Sequence, residues 1–235
     1  MIPRPRLSPL PNPRLSTLSR LSSSSSSTPA HTSLPTFLAH ARATSLSPTS
    51  TVYLGTYYEY LCARTLARLG FTLTRTGGRS DAGIDLRGTW QLPCLPYALR
   101  ALVQCKAHRG KIAPETVRGL EGVGVGAPGG WRGEGTVGVL CGRREATRGV
   151  REAVRRCGVP VVWVMVDGDA GEGDGVGRVR QVLWNERVMG LGLEGMGVGV
   201  RHVVEGEGGL GREAVLLWKG VPWEPEGVEE GAGEG

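Results

Sequence analysis

Hydrophobic residues recur at helical spacing from Leu54 to Leu69, where one face of the segment is apolar and Gly70 ends the pattern. Residues 71–75 then alternate apolar and polar side chains, which predicts a half-buried strand. The same criteria predict four more strands and two more helices: strands at 83–90, 99–107, 136–141 and 160–167, and helices at 114–121 and 145–158. The order α-β-β-β-α-β-α-β predicts an α/β fold with a mixed sheet flanked by helices.

The pattern is weaker in the second half of the chain, where most of the 38 glycines lie. Residues 179–195 predict one short helix, and residues 214–220 predict one strand. These observations divide the chain into four parts: a disordered leader at 1–50, a core at 51–167, a glycine-rich extension at 168–222 and an acidic disordered tail at 223–235.

The predicted leader has an unusual composition. Its 50 residues contain five arginines, many serines and no acidic residue, which is typical of a mitochondrial or plastid transit peptide. We expect mitochondrial targeting to the matrix, with cleavage near 40–52; a disordered tail without a targeting role is the alternative. No apolar run approaches the ~18 residues of a transmembrane helix, so no membrane span is predicted.

The net charge of +6 belongs almost entirely to the leader, since residues 51–235 carry 23 basic and 22 acidic side chains. Proteins that follow a phosphate backbone usually carry a clear basic excess, so a nucleic-acid partner would need local basic patches here. The five cysteines form no C-x-x-C pair and favour small buried hydrophobic side chains over disulfides or a zinc site. Histidine is also too scarce to favour a histidine-based catalytic or zinc site.

Two short segments place uncommon residue types close together. Residues 79–87 read RSDAGIDLR and residues 102–106 read LVQCK, in a chain with three lysines and five aspartates. A period of two puts Gln104 and Lys106 on one face of their strand. If the strands at 83–90 and 99–107 pair, Asp85 approaches both of these side chains.

A carboxylate, an amide and an ammonium group that lie together could bind a metal ion and activate a water molecule. Carboxylate and amide oxygens suit Mg²⁺, and a lysine can orient or deprotonate an attacking water. In the alternative interpretation, Asp85 caps a turn and Lys106 only reaches solvent from a strand end. Two other motifs fail their structural tests: GLGLEG at 190–195 follows no strand, and DGDAGEGD at 167–174 has Arg178 where a calcium loop needs glutamate.

The motifs resemble those of the Mrr-like branch of the PD-(D/E)xK nucleases, which has a restriction endonuclease-like fold with an αβββαβ core. The matching residues are Gly55 and Glu59, then Asp81, Gly83 and Asp85, then Gln104 and Lys106. This likeness covers about residues 53–167. The leader, this domain and VLWN at 182–185 are together similar to the fungal mitochondrial required for respiratory growth protein 7 family.

The resemblance implies a role for each matching side chain. Asp85 would be the main metal ligand and Lys106 the catalytic lysine, with Mg²⁺ or Mn²⁺ as the cofactor. Gln104 offers a neutral carbonyl where the wider superfamily has an acid, and Glu59 could supply the missing carboxylate. Asp81 is expected in a turn rather than among the ligands.

Two functions follow from these expectations. The first is a metal-dependent endonuclease that acts on nucleic acid in mitochondria, DNA in preference to RNA, and supports respiratory growth. Its phosphate contacts would come from basic residues near the site: Arg75, Arg79, Arg109 and Lys111. The alternative is a non-catalytic nucleic-acid-binding or assembly factor for mitochondrial gene expression on the same fold. A homodimer stays open in either case.

Overall fold

The computed structural model of the protein describes residues 30–76, 83–126, 129–131, 133–168, 175–205 and 209–226. Within these ranges the chain forms five helices: α1 Leu34–Ala43, α2 Thr51–Ala67, α3 Pro114–Gly126, α4 Arg148–Arg156 and α5 Glu186–Met189. It also forms nine strands: β1 Phe71–Arg75, β2 Leu86–Trp90, β3 Leu99–Lys106, β4 Thr136–Gly142, β5 Val161–Asp167, β6 Arg178–Trp184, β7 Met196–Glu205, β8 Gly209–Trp218 and β9 Val221–Pro222.

The first six strands make one mixed sheet in the order β1-β2-β3-β4-β5-β6. The β1–β2 and β2–β3 pairs are antiparallel, β3, β4 and β5 run parallel, and β6 is antiparallel to β5. The predicted α/β class and mixed sheet are therefore confirmed. The carboxyl ends of three neighbouring parallel strands meet at one edge, which is where ligands bind in many α/β proteins.

Helices cover the two faces of this sheet because successive strand residues point to opposite sides. On β3, Val103 packs in the cluster that contains residues of α1 and α2, whereas Leu102 packs in the cluster built around α3 and α4. Both side chains are almost fully buried. The sheet is thus the middle of three layers.

Helix α1 lies inside the predicted leader and corrects its boundary at residue 50. Ser33 caps the helix by accepting a hydrogen bond from the Thr36 amide, and Leu34, Phe37 and Ala41 are buried. The Phe37 ring packs 5.2 Å from the ring of Tyr53 on α2. Residues 34–43 therefore belong to the folded unit, and cleavage within the predicted window at 40–52 would cut or remove this helix.

The boundary predicted at residue 167 is also wrong, because β6 completes the main sheet beyond it. The short helix predicted within 179–195 is present as α5, whose four residues follow β6, whereas the strand itself was not predicted. Strands β7, β8 and β9 form a second, antiparallel sheet. Trp223 packs on the core, so the folded unit also extends past the predicted start of the tail at 223.

Within the described residues, no helix combines the length and the apolar character needed to cross a membrane.

Candidate active site

Asp85 directly precedes β2, and its side chain is fixed against β3. Its Oδ2 accepts a hydrogen bond from the Cys105 amide at 2.6 Å, while its own amide donates to the Val103 carbonyl at 2.9 Å. The carboxylate therefore contacts the backbone between Gln104 and Lys106. The two strands pair antiparallel, which places Asp85 beside the backbone of this segment. That its carboxylate meets the side chains of Gln104 and Lys106 stays a prediction.

Gly83 supports Gln104 from the other side. Its φ of +81° lies in the left-handed region, and a Cβ added there would lie 2.8 Å from Gln104 Nε2. The backbone conformation is the reason that glycine is favoured here, since the amide end of Gln104 could move away from an added Cβ. By contrast, a Cβ added at Gly55 would meet no described atom within 4 Å, so the structure gives no steric reason for the glycine of the first motif.

Gln104 and Lys106 lie at the carboxyl end of β3. Gln104 is the register partner of Leu140, and Lys106 is the partner of Gly142, the last residue of β4. Both side chains are partly buried. Lys106 thus ends β3 at the edge where the parallel strands finish, which is a suitable place for a group that contacts a ligand.

Glu59 projects from α2 and forms an ion pair with Arg75 at the end of β1. Burial raises the pKa of Glu59, the Arg75 guanidinium lowers it, and the nearby Asp85 charge raises it. The two predicted carboxylate ligands are therefore close enough to interact. The ion pair joins Arg75 Nε to Glu59 Oε2, so it competes with a metal ion for Glu59 and with a phosphate for Arg75.

A basic pocket of about 410 Å³ opens at the carboxyl ends of β4 and β5. Its lining includes four cationic side chains and two acidic ones: Arg109, Lys111, Arg143, Arg144, Glu145 and Asp167. Arg109 and Lys111 were predicted as phosphate contacts, and the structure places both here. Arg79 and Asp81 lie outside the described residues.

Arg143 and Arg144 were missed because their place depends on how the chain turns after β4. Arg143 donates to the Gly168 carbonyl at 2.7 Å, and its guanidinium lies 5.6 Å from the centre of the Tyr58 ring. Arg144 donates to the backbone carbonyl of Arg109. These contacts join the segment after β4 to the segment after β3 and concentrate positive charge in the pocket.

Three cysteines meet on the opposite face of β3. The sulfur atoms of Cys62, Cys105 and Cys141 all lie within 4.8 Å of one another. Burial raises the pKa of the Cys62 thiol well above its usual value, and the hydrogen bond with Cys105 raises that of Cys141. The sequence predicted small buried side chains at these positions rather than disulfides or a zinc site. It did not show that the three meet, because they come from three elements that are distant in the chain.

Comparisons with known proteins point to one group. The family model described as "Required for respiratory growth protein 7" matches residues 50–98 and 96–200. An uncharacterized mitochondrial protein of Schizosaccharomyces pombe is 37% identical over 93 residues, which cover 39% of this chain and 38% of that relative. This chain therefore spans less than half of that relative's length.

Two yeast relatives are matched over more of their length. Required for respiratory growth protein 7 of Saccharomyces cerevisiae strain S288c is 25% identical over 175 residues, 57% of this chain and 72% of the relative. The protein of that name from Zygosaccharomyces rouxii is 26% identical over 195 residues, 63% of this chain and 80% of the relative. No solved structure matches the chain.

All of these relatives are named as mitochondrial proteins. The mitochondrial location predicted from the leader is thereby confirmed, while the matrix stays a prediction.

Proposed function

The chain belongs to the required for respiratory growth protein 7 family, and from that premise we propose that it is a metal-dependent nuclease of the mitochondrial matrix. It would cleave nucleic acid, DNA in preference to RNA, and so support the respiratory growth for which its relatives are named. One observation carries the proposal: the Asp85 carboxylate is held against the strand segment that bears Gln104 and Lys106. A restriction endonuclease-like core would account for this arrangement.

The donor atoms at this place fit a hard divalent cation. Asp85 and Gln104 offer oxygen atoms, which Mg²⁺ and Mn²⁺ prefer. A carboxylate has about four lone-pair sites, so the bond from the Cys105 amide does not exclude a cation at Asp85. The ion pair with Arg75 would compete with binding of the cation by Glu59. A cation held here would supply positive charge beside the reacting phosphate.

The other roles fall to side chains of the chain itself. Lys106 would orient the attacking water or take its proton, since a lysine pKa responds to its surroundings as an arginine pKa does not. The four cations of the basic pocket would hold the phosphate backbone through charge-assisted hydrogen bonds. Because the pocket lies at the same sheet edge as Lys106, a bound strand could reach both.

A second candidate is a nucleic-acid-binding or assembly factor without catalysis, which would serve mitochondrial gene expression. Three observations favour it. Gln104 is neutral, Glu59 is already paired with Arg75, and residues 51–235 have nearly equal numbers of basic and acidic side chains. Each of them weakens cation binding or general phosphate attraction, and none of them prevents the basic pocket from holding a phosphate.

Cleavage and binding assays on the full-length chain separate the two candidates. Labelled supercoiled, linear and branched DNA and RNA would be incubated with Mg²⁺, Mn²⁺ or EDTA. We expect metal-dependent cutting that falls about 100-fold or more in Lys106→Met, the typical loss when a general acid–base group is removed. Cutting should also be lost in Asp85→Asn, which removes the main metal ligand. Lys219→Met and Glu115→Gln are matched controls on exposed positions, and both should cut normally.

The outcomes have distinct meanings. Binding without cutting, unchanged in both site variants, would refute the nuclease and leave the second candidate. Cutting that survives in Asp85→Asn and Lys106→Met would show that this site is not the catalytic one. Neither binding nor cutting would refute the nuclease and the binding of nucleic acid, and would indicate a protein partner.

A further inference from the structure

The three-cysteine cluster is preorganised by the elements that carry it. Cys105 and Cys141 are register partners on neighbouring parallel strands, and Cys62 reaches them from α2. Cys62 and Cys141 are fully buried, while Cys105 is partly buried at the end of β3. The sulfur atoms therefore converge without any change in the fold.

The spacing of the sulfurs fits one small ion. A metal–sulfur distance of about 2.3 Å in a trigonal arrangement puts the sulfurs roughly 4.0 Å apart. The observed separations do not exceed 4.8 Å, so a modest contraction would be enough. Sulfur donors select soft ions, chiefly Cu(I), zinc and iron–sulfur clusters.

The number of ligands narrows the choice of metal ion. Among the described residues, no histidine, aspartate or glutamate joins the three sulfurs as a fourth ligand. Structural zinc is almost always held by four ligands, whereas a closed-shell Cu(I) ion accepts three. We propose that Cys62, Cys105 and Cys141 form a buried site for a single Cu(I) ion.

The surroundings bear on the charge of such a site. Each thiol that becomes a thiolate releases one proton, so the bound ion leaves net negative charge in a buried place. Burial raises the pKa of the Cys62 thiol and contributes to raising those of Cys105 and Cys141, which reflects this cost. The Cu–S bonds must therefore outweigh the cost of the buried charge.

The cluster also adjoins the candidate active site. The Cys105 amide donates to Asp85 while the Cys105 side chain faces the other two cysteines. An ion bound to that sulfur would hold the end of β3 and, through the amide, the position of Asp85. The Cu(I) site itself rests on the sulfur geometry and does not depend on the nuclease proposal.

The test is a Cu(I) titration of the reduced full-length chain without oxygen, in competition with a chromophoric Cu(I) chelator. We expect one tightly bound Cu(I) per chain, a higher melting temperature with Cu(I) than without it, and three sulfur neighbours by X-ray absorption. Cys105→Ser and Cys62→Ala should lose this binding. Cys94→Ser and Cys157→Ser remove a thiol outside the cluster and should keep it.

Three results would overturn the proposal. They are failure of the wild-type chain to compete with the chelator, tight binding that persists in Cys105→Ser, and binding of Zn²⁺ in preference to Cu(I) in a parallel titration. The number of sulfur neighbours that X-ray absorption finds around Cu(I) in the wild-type chain tests the site even if a variant fails to fold. Fewer than three sulfur neighbours would also refute the site.

Discussion

Gly83 offers a sharp test of the backbone that supports the candidate active site. Its φ of +81° is a conformation that side chains with a Cβ disfavour, and an alanine Cβ would lie 2.8 Å from Gln104 Nε2. Gly55 is the matched control because it lies inside α2 and an added Cβ there meets no described atom within 4 Å. The two substitutions add the same methyl group and should act in opposite directions.

The expected magnitudes follow from these local geometries. The left-handed backbone costs an alanine about 1–2 kcal/mol, so Gly83→Ala should lower the free energy of unfolding by that amount. The contact with Gln104 adds little to this, since the far end of a flexible side chain can move away. Gly55→Ala should raise the free energy of unfolding by about 0.5–1 kcal/mol because glycine is unfavourable inside a helix.

Thermal unfolding of the full-length chain would measure both effects. For a chain of this size each kcal/mol shifts the melting temperature by about 2–4 °C, so Gly83→Ala should melt about 2–8 °C lower and Gly55→Ala about 1–4 °C higher. Gly83→Asn should lose less than Gly83→Ala, because asparagine tolerates the left-handed region. An unchanged or higher melting temperature for Gly83→Ala would refute the left-handed backbone conformation at Gly83.

Two further predictions concern buried polar groups. Asn185 is 3% exposed, and its side chain accepts hydrogen bonds from two backbone amides and donates to two backbone carbonyls. Asn185→Ala should therefore lower the free energy of unfolding, measured in urea, by about 2–4 kcal/mol. A loss under ~1 kcal/mol would refute these bonds. Burial raises the pKa of Glu213, but the Arg201 and Arg68 guanidinium groups lower it by more, so it lies below its usual value. A carboxyl with a lowered folded pKa stabilises the fold above its unfolded pKa of about 4.3 and loses this contribution as the pH falls through the folded pKa. Glu213→Gln should therefore be less stable than the wild type at neutral pH, and this difference in free energy of unfolding should shrink in acid. A difference that does not change with pH would contradict the ion pairs.

Local patterns predicted most of the α/β core because each element has a clear period and a clear end. The helix before Gly70 and the alternating strand after it match α2 and β1 closely. The position of Asp85 beside β3 could be predicted because a short loop joins β2 to β3, and such strands pair as antiparallel neighbours. The alternation of side chains between the two faces then restricts the register of the pair. The role of Asn185 in the VLWN segment could not be predicted, since its partners lie on the loop before β5.

The errors have physical causes as well. Helix α1 was assigned to the leader because its composition matched that of a transit peptide, although Ser33 and Phe37 provide a cap and a buried side chain. Strand β6 was not predicted because only one short helix was expected in the segment 179–195, and that helix, α5, occupies only residues 186–189. In the sheet, Val179 and Val182 are buried and Leu183 packs on the opposite face.

Contacts between distant segments decide what the candidate site can do, and sequence spacing does not show them. If Glu59 stays paired with Arg75, a cation at this place has one carboxylate, Asp85, and the neutral amide of Gln104. Mg²⁺ commonly binds through one or two carboxylates together with substrate phosphates and several waters. Under the proposed function, the phosphate held by the basic pocket would then complete the ligand set, so the cation and the nucleic acid would bind together more tightly than either does alone.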